Sequence, residues 1–307
     1  MSRIYEALQR ADLERKVAQD PEAKQVAELV AVPAIEEPQP VNANVVLENI
    51  AQHQWSPSMA SFPTLADRGA GVEQFRGLRS RMFQHRYEAP LKTILVCSGL
   101  PAEGKTFVTA NLAMSLARNN VNNILLIDAD LRRPTLHSLL GAPSTPGLSE
   151  YLAGTVGLNE IMQRNKNSKT VHTESGHGIS NLIFIPAGKC DDNSSELVAN
   201  HHIEELISTL SPHFDWILID SPPVLAVADA VDIARAADAV LLVAREGNTP
   251  FDVAQRTQAA FRNSRILGFV LNAVKDAPRQ GSYSYYYYGG PEASDETKRR
   301  KDKRSQA

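Results

Sequence analysis

The segment from Gly99 to Thr106 contains the residues with the clearest chemistry in this sequence. It reads GLPAEGKT and fits the pattern G-x-x-x-x-G-K-[ST], with an apolar run before it and a helical pattern after it. Glycines at this spacing let the backbone curl so that its N–H groups point at phosphates, and the following helix adds its N-terminal dipole. Lys105 is expected to reach the β- and γ-phosphates, and the Thr106 hydroxyl to bind Mg²⁺. The motif therefore predicts a nucleotide-binding P-loop.

Three acidic residues stand where apolar runs end. Asp128 and Asp130 lie in LLIDADLRRP, and Asp220 lies in WILIDSPP. Ligands of open parallel sheets bind outside the carboxyl ends of the strands. The three acids are therefore expected near Mg²⁺ and the γ-phosphate, although a single strand-end Asp can also serve as a helix N-cap.

Short apolar runs that alternate with helical patterns must position these residues. Strands are predicted at 92–98, 123–128, 181–187, 216–220, 238–244 and 266–272. Helices are predicted at about 72–87, 104–119, 195–210, 228–236 and 251–263, and a polar loop at 165–180. Strands that are apolar throughout predict a mostly parallel sheet covered by helices on both faces. The expected fold class is the α/β fold of P-loop NTPases.

The chain divides into four predicted regions. Residues 1–19 have the pattern of a short amphipathic helix, 20–69 of a Pro-rich mobile linker, 70–275 of the P-loop domain, and 276–307 of a flexible tail rich in tyrosine and basic residues. The net charge of −3 argues against nucleic-acid binding. No run approaches the roughly 18 apolar residues that a membrane span needs. The two cysteines have no metal-site spacing, and the histidines indicate no metal site.

The three motifs together resemble those of a known family. GLPAEGKT, LLIDADLRRP and WILIDSPPV are similar to the Walker A, Walker A′ and Walker B motifs of bacterial tyrosine kinases (BY-kinases) of the CpsD/CapB type, which act in capsule and exopolysaccharide synthesis. Further similar stretches are EQFRGLRS, VAREGNT and GFVLN, and the tail GSYSYYYYGG resembles the family's autophosphorylation cluster. The resemblance runs from about Glu73 to the C-terminus.

This resemblance implies phosphoryl transfer from ATP, with Mg²⁺, to a tyrosine hydroxyl. The implied catalytic residues are Lys105, Asp128 and Asp130, with Asp130 accepting or orienting the phenol proton. The implied metal ligands are Thr106, Asp128 and Asp220. The implied ATP-binding residues are Gly99, Ala102, Glu103, Gly104, Lys105, Thr106, Phe107, Arg132 and Asn272. The implied phosphoacceptors are Tyr283, Tyr285, Tyr286, Tyr287 and Tyr288.

The resemblance also implies partners and an assembly. A separate transmembrane polysaccharide co-polymerase would recruit and activate the chain at the inner membrane, and a tyrosine phosphatase would reverse its phosphorylation. Glu73, Arg76 and Arg79 share one helix face, where the resemblance implies a subunit contact that closes a homo-oligomeric ring. The same spacing also suits a ladder of ion pairs within one helix.

Two positions and one rival class qualify these expectations. The family's P-loop usually has glycine where this chain has Ala102, and an ordinary φ is expected there, unless the loop requires a positive φ. Asn272 is similar to the family's adenine-contacting position, but it could instead cap a turn. A partition-type or regulatory P-loop ATPase would act as a nucleotide switch without tyrosine transfer. Partition-type ATPases carry a lysine five residues before the P-loop lysine, where this chain has Leu100.

Overall fold

A computed structural model describes residues 50–66, 68–118, 121–166, 179–189 and 202–275. Its strands are β1 Ala51–His53, β2 Thr93–Ser98, β3 Ile124–Asp128, β4 Gln163–Asn165, β5 Leu182–Ile185, β6 Trp216–Asp220, β7 Ala239–Arg245 and β8 Ile266–Asn272. Within the described ranges these strands form one sheet in the order β1-β4-β5-β3-β6-β2-β7-β8. All neighbours run parallel except β4 and β5, which are antiparallel.

Helices connect the strands in the described part of the chain. They are α1 Ala70–Glu88, α2 Lys105–Ala117, α3 Leu136–Leu140, α4 Leu148–Leu152, α5 Leu158–Ile161, α6 His202–Leu210, α7 Asp229–Ile233 and α8 Phe251–Ala260. Short 3₁₀ turns lie at Pro63–Leu65, Ser211–His213 and Ala234–Ala236. No helix among the described residues combines the length and the apolar character needed to cross a bilayer.

The central strands are buried on both faces. Along β2, Leu95 and Cys97 belong to one apolar cluster, whereas Ile94 and Val96 belong to a second cluster on the other side of the sheet. Such alternation is the expected result when side chains of a strand point to opposite faces and helices cover both. The predicted fold class, a mostly parallel sheet with helices on both faces, is confirmed.

The predicted linker is wrong at its C-terminal end. Residues 50–66 form strand β1 and then pack across the domain, with Trp55 and Phe62 buried. The Trp55 indole N–H donates to the Gln163 side chain at 3.3 Å, and Asn111 of helix α2 donates to the Ser61 carbonyl at 3.0 Å. The prolines of this segment break periodicity without preventing burial, because an extended chain can pack its apolar side chains against a preformed core.

Several sequence predictions lie outside the described residues. These are the N-terminal helix at 1–19, the linker up to residue 49, most of the polar loop at 165–180 and the tail at 276–307. Within the described part, the short elements between residues 136 and 165 were not predicted from the sequence; these are α3, α4, α5 and β4.

Candidate functional site

The P-loop connects the buried strand β2 to helix α2. Gly104 precedes the helix in the left-handed region, with φ of 91°, and Lys105 is its first residue. A Cβ on Gly104 would lie 2.0 Å from the Asn272 side-chain nitrogen, and a Cβ on Gly99 would lie 2.2 Å from the Thr257 hydroxyl. Close neighbours therefore leave little room for a side chain at either glycine, and at Gly104 the positive φ also favours glycine.

Ala102 adopts a positive φ of 62°. The prediction of an ordinary φ at this position is therefore wrong. A left-handed conformation brings Cβ close to the following carbonyl oxygen and costs a non-glycine residue roughly 1–2 kcal/mol. The loop requires this conformation even though glycine is absent. The Ala102 carbonyl oxygen accepts a hydrogen bond from Arg245 Nη1 at 3.0 Å.

The P-loop lysine and two of the strand-end acids form a buried ionic cluster. Lys105 Nζ lies 2.9 Å from Asp130 Oδ2 and 3.6 Å from Asp220 Oδ2. Asp128 and Asp220 occupy paired positions at the ends of the neighbouring parallel strands β3 and β6. The topology brings together the acids of both motifs beside the P-loop, because both strands end at the same edge of the sheet.

Burial perturbs the pKa values in this cluster. It raises the pKa of Asp128 well above its ordinary value, and the charge of Asp220 adds to the shift. It also raises the pKa of Asp220, although the Lys105 ammonium opposes that shift. Burial alone would lower the pKa of Lys105, but the charges of Asp220 and Asp130 outweigh it, so that its pKa is raised. Lys105 is therefore the protonated group that compensates the buried carboxylates.

The oxygens at this edge of the sheet suit a hard cation. Asp220 Oδ2 is buried and has no hydrogen-bond partner among the described residues. The Thr106 hydroxyl accepts a hydrogen bond from Lys105 Nζ at 3.2 Å, on the same side of the loop. Carboxylate and hydroxyl oxygens fit Mg²⁺, which typically takes one or two protein oxygens and completes its coordination with phosphates and water.

Asp128 differs from Asp220, the other predicted metal ligand at a strand end, in the hydrogen bonds of its carboxylate. Its Oδ1 accepts the Asp130 backbone N–H at 3.3 Å, and its Oδ2 accepts the Leu136 N–H at 3.1 Å. Asp130 Oδ1 in turn accepts the Arg133 N–H at 3.0 Å. Asp128 therefore shapes the turn after β3, and the protein itself already occupies both of its oxygens.

Three further predicted ATP-binding residues contact other parts of the domain. Asn272 contacts the P-loop, where its Nδ2 donates to the Glu103 carbonyl at 3.0 Å. Arg132 instead pairs with Asp229 at 3.2 Å. The Phe107 ring packs edge-on against Phe75 of helix α1, with 6.0 Å between the ring centroids.

The P-loop is also held by contacts of Glu103 that were not predicted from the sequence. The Glu103 side chain is buried, accepts the Leu100 N–H at 2.8 Å and accepts a hydrogen bond from the Thr249 hydroxyl. Arg245 and Thr249 belong to the stretch VAREGNT, which begins in the last residues of β7. Its similarity to the family was visible in the sequence, but its contact with the loop was not.

The predicted oligomer residues on α1 have separate environments. Arg76 forms an ion pair with Glu73 one turn away, and both are partly exposed. Arg79 turns inward, and its Nη1 donates to the Ser115 carbonyl of α2 at 2.7 Å. Glu73 and Arg76 thus match the intrahelical reading of the motif, whereas Arg79 links α1 to the P-loop helix. The predicted phosphoacceptor tyrosines, Tyr283 and Tyr285 to Tyr288, lie outside the described residues.

Known proteins are similar to this chain over the region that contains the candidate site. The AAA domain family matches residues 92–250, which include the P-loop and all three acids. A protein of Staphylococcus aureus named "Putative tyrosine-protein kinase CapB" is 31% identical over 220 residues, which cover 71% of this chain and 90% of CapB. A protein of Erwinia amylovora named "Putative tyrosine-protein kinase AmsA" is 37% identical over 219 residues, which cover 70% of this chain. The chain spans only 28% of the length of AmsA.

A solved structure shares the fold as well. The kinase domain of the Escherichia coli tyrosine kinase ETK superposes with a TM-score of 0.58 at 34% sequence identity. The match covers 69% of this chain and 79% of that domain.

Proposed function

The chain belongs to the family of bacterial tyrosine-protein kinases with a P-loop AAA domain, and on that premise we propose that it transfers the γ-phosphoryl group of ATP to tyrosine. The acceptors are its own tail residues Tyr283 and Tyr285 to Tyr288. The observation that carries this proposal is the convergence of Lys105, Asp130 and Asp220 at the carboxyl edge of the sheet, directly beside the P-loop.

In this proposal, binding of ATP rearranges the ion pairs of Lys105. In the free protein the Lys105 ammonium is held by Asp130 at 2.9 Å. The phosphates of ATP compete for that ammonium, because they carry more negative charge than one carboxylate. Asp130 is then released from its cation and becomes available to a second hydrogen-bond donor. The lysine stabilises the charge that develops on the transferred phosphoryl group.

Asp130 is the proposed acceptor of the tyrosine proton. As the phenol oxygen bonds to the γ-phosphorus, the bond to the bridging oxygen breaks, ADP leaves, and the phenol proton passes to Asp130. Since a free tyrosine has a pKa near ~10, an acceptor at hydrogen-bond distance assists attack at neutral pH. Thr106 and Asp220 are the proposed ligands of Mg²⁺, with Asp128 holding the ion through water. When bound, that ion neutralises charge on the phosphates.

The proposal is tested by incubating the purified chain with Mg²⁺ and γ-labelled ATP, and by mapping phosphotyrosine with mass spectrometry. Lys105→Met should abolish labelling, and Phe at all five tail tyrosines should remove most of it. Tyr87→Phe is the matched control, because Tyr87 is a tyrosine outside the tail that is 91% exposed; this variant should label normally. Undiminished labelling of Lys105→Met would overturn the proposal, and phosphate mainly on Tyr5 or Tyr151 would overturn the choice of acceptors.

Regulation is proposed on the same family membership. The kinase would control synthesis and export of a capsule or exopolysaccharide, with a separate transmembrane adaptor as its activator at the inner membrane and a tyrosine phosphatase as its antagonist. The unphosphorylated chain would form a homo-oligomeric ring through α1. Light scattering before and after phosphorylation tests the ring, and an unchanged mass in both states and in Arg76→Ala/Arg79→Ala would remove it.

A further inference from the structure

Side chains from two other parts of the sheet hold the carbonyl groups of the P-loop. Arg245 Nη1, at the end of β7, donates to the Ala102 carbonyl at 3.0 Å. Asn272 Nδ2, at the end of β8, donates to the Glu103 carbonyl at 3.0 Å. Thr249 accepts the Arg245 backbone N–H at 2.8 Å and donates to the Glu103 carboxylate. The two successive peptide groups after Ala102 and Glu103 are therefore fixed from one side of the loop.

These contacts determine the direction of the N–H groups. In a trans peptide the C=O and N–H bonds point in opposite directions. Because the Ala102 carbonyl is directed at Arg245, the N–H of the same peptide group, that of Glu103, points away from Arg245. The Glu103 carbonyl is directed at Asn272, and the Gly104 N–H therefore points away from Asn272. Neither N–H donates to any acceptor within the described ranges. The loop is thus held with free donors of the kind that bind phosphate at the start of a helix.

Ala102 makes the contact from Arg245 more important than glycine would. Its φ of 62° is unfavourable for a residue with a Cβ, so the loop tends to relax at this position unless another contact opposes the change. Relaxation would rotate the adjoining peptide group and turn the Glu103 N–H away from the phosphates. The Arg245 guanidinium holds the carbonyl of this strained residue, and its charge strengthens the hydrogen bond.

We propose that Arg245 is a positioning residue for the nucleotide phosphates. It maintains the left-handed conformation of Ala102 and so keeps the N–H groups of the P-loop directed at the ligand. This inference rests on the proposed function only for nucleotide binding and not for tyrosine transfer.

The test measures the affinity of the full chain for a fluorescent ADP analogue, together with the melting temperature of the ligand-free protein. Arg245→Ala should weaken ADP binding about tenfold, as expected for one charge-assisted hydrogen bond, and Arg245→Lys should recover part of the loss. The matched control is Arg235→Ala, which removes an exposed arginine whose ion-pair partner, Asp232, lies three residues earlier in the chain. This variant should leave ADP affinity within about twofold of the unchanged protein.

A second substitution separates positioning from direct attraction of the phosphates. Since glycine adopts a positive φ without strain, Arg245→Ala should cost only about two- to threefold in an Ala102→Gly background. The ligand-free melting temperature should show the same coupling, with a smaller drop in that background. If Arg245 acted through its charge on ADP, Arg245→Ala would weaken ADP binding tenfold with either alanine or glycine at position 102. This result would overturn the proposal, and so would equal drops in melting temperature in the two backgrounds. Neither ADP affinity nor the ligand-free melting temperature depends on tyrosine transfer. Failure of the chain to form phosphotyrosine would therefore count against the proposed kinase activity and not against this role of Arg245.

Discussion

Replacing Lys105 by Met should destabilise the ligand-free protein as well as abolish activity. The ammonium is nine-tenths buried and is the cation nearest to Asp130 and Asp220. Removing one partner of a buried ion pair leaves an uncompensated charge and typically costs about 3–5 kcal/mol. We therefore expect a loss of this size in the free energy of unfolding near pH 8. An effect on activity alone would be expected if the lysine were exposed.

The loss should depend on pH in a defined direction. Burial already raises the pKa values of Asp128 and Asp220, and removing Lys105 raises them further. A carboxyl group whose pKa is higher in the folded than in the unfolded state binds its proton more tightly when folded. Its contribution to stability is therefore present at acid pH and is lost as pH rises through the folded-state pKa. The penalty of Lys105→Met should therefore be smaller at pH 5.5 than at pH 8.

Urea denaturation of both proteins at the two pH values measures this effect. Lys166→Met is the matched control, because Lys166 is exposed; it should change stability by less than about 0.5 kcal/mol at either pH. A penalty for Lys105→Met below about 1 kcal/mol at pH 8, or one that is equal at both pH values, would refute the argument that Lys105 compensates buried carboxylates.

Three further predictions follow from other contacts. Ala102→Gly should raise the unfolding free energy by about 1 kcal/mol, because it relieves the left-handed strain, and an unchanged melting temperature would contradict this. Asn111→Ala should cost about 1–3 kcal/mol in urea denaturation, because the buried amide bonds to Ser61, Thr64 and Phe107; a smaller loss would show that these three hydrogen bonds contribute little to stability. For Asp220→Asn, added Mg²⁺ should no longer strengthen ADP binding, measured by titration with and without the ion, and an enhancement equal to that of the unchanged chain would exclude Asp220 as a ligand.

The sequence predicted the central elements well because their signal is local. Strands β2, β3, β6 and β7 are continuous apolar runs of strand length, and P-loop chemistry marks the start of α2. The short helices α3, α4 and α5 have only four or five residues each, which is too short for a helical period to be visible. Their buried leucines, such as Leu136 and Leu152, are placed by tertiary packing.

The candidate site was predictable in its residues and less so in its contacts. Spacing and strand ends pointed to Lys105, Asp130 and Asp220. The fold places a carboxylate oxygen of each of the two acids within 3.6 Å of Lys105 Nζ. The positive φ of Ala102 could not be read from an alanine, because that residue type favours ordinary backbone conformations. The contact between Ala102 and Arg245 joins residues 143 positions apart and depends on the order of β2 and β7 in the sheet.

The packing of residues 50–66 has a practical consequence for anyone shortening the chain. A fragment that began at residue 70, where α1 starts, would keep the P-loop and every strand-end acid. It would also uncover the apolar surface that Trp55, Phe62 and Leu65 now shield. Exposed apolar surface of that kind promotes self-association. Such a fragment should express poorly or precipitate, whereas one beginning at Ile50 should remain dispersed at the same concentration.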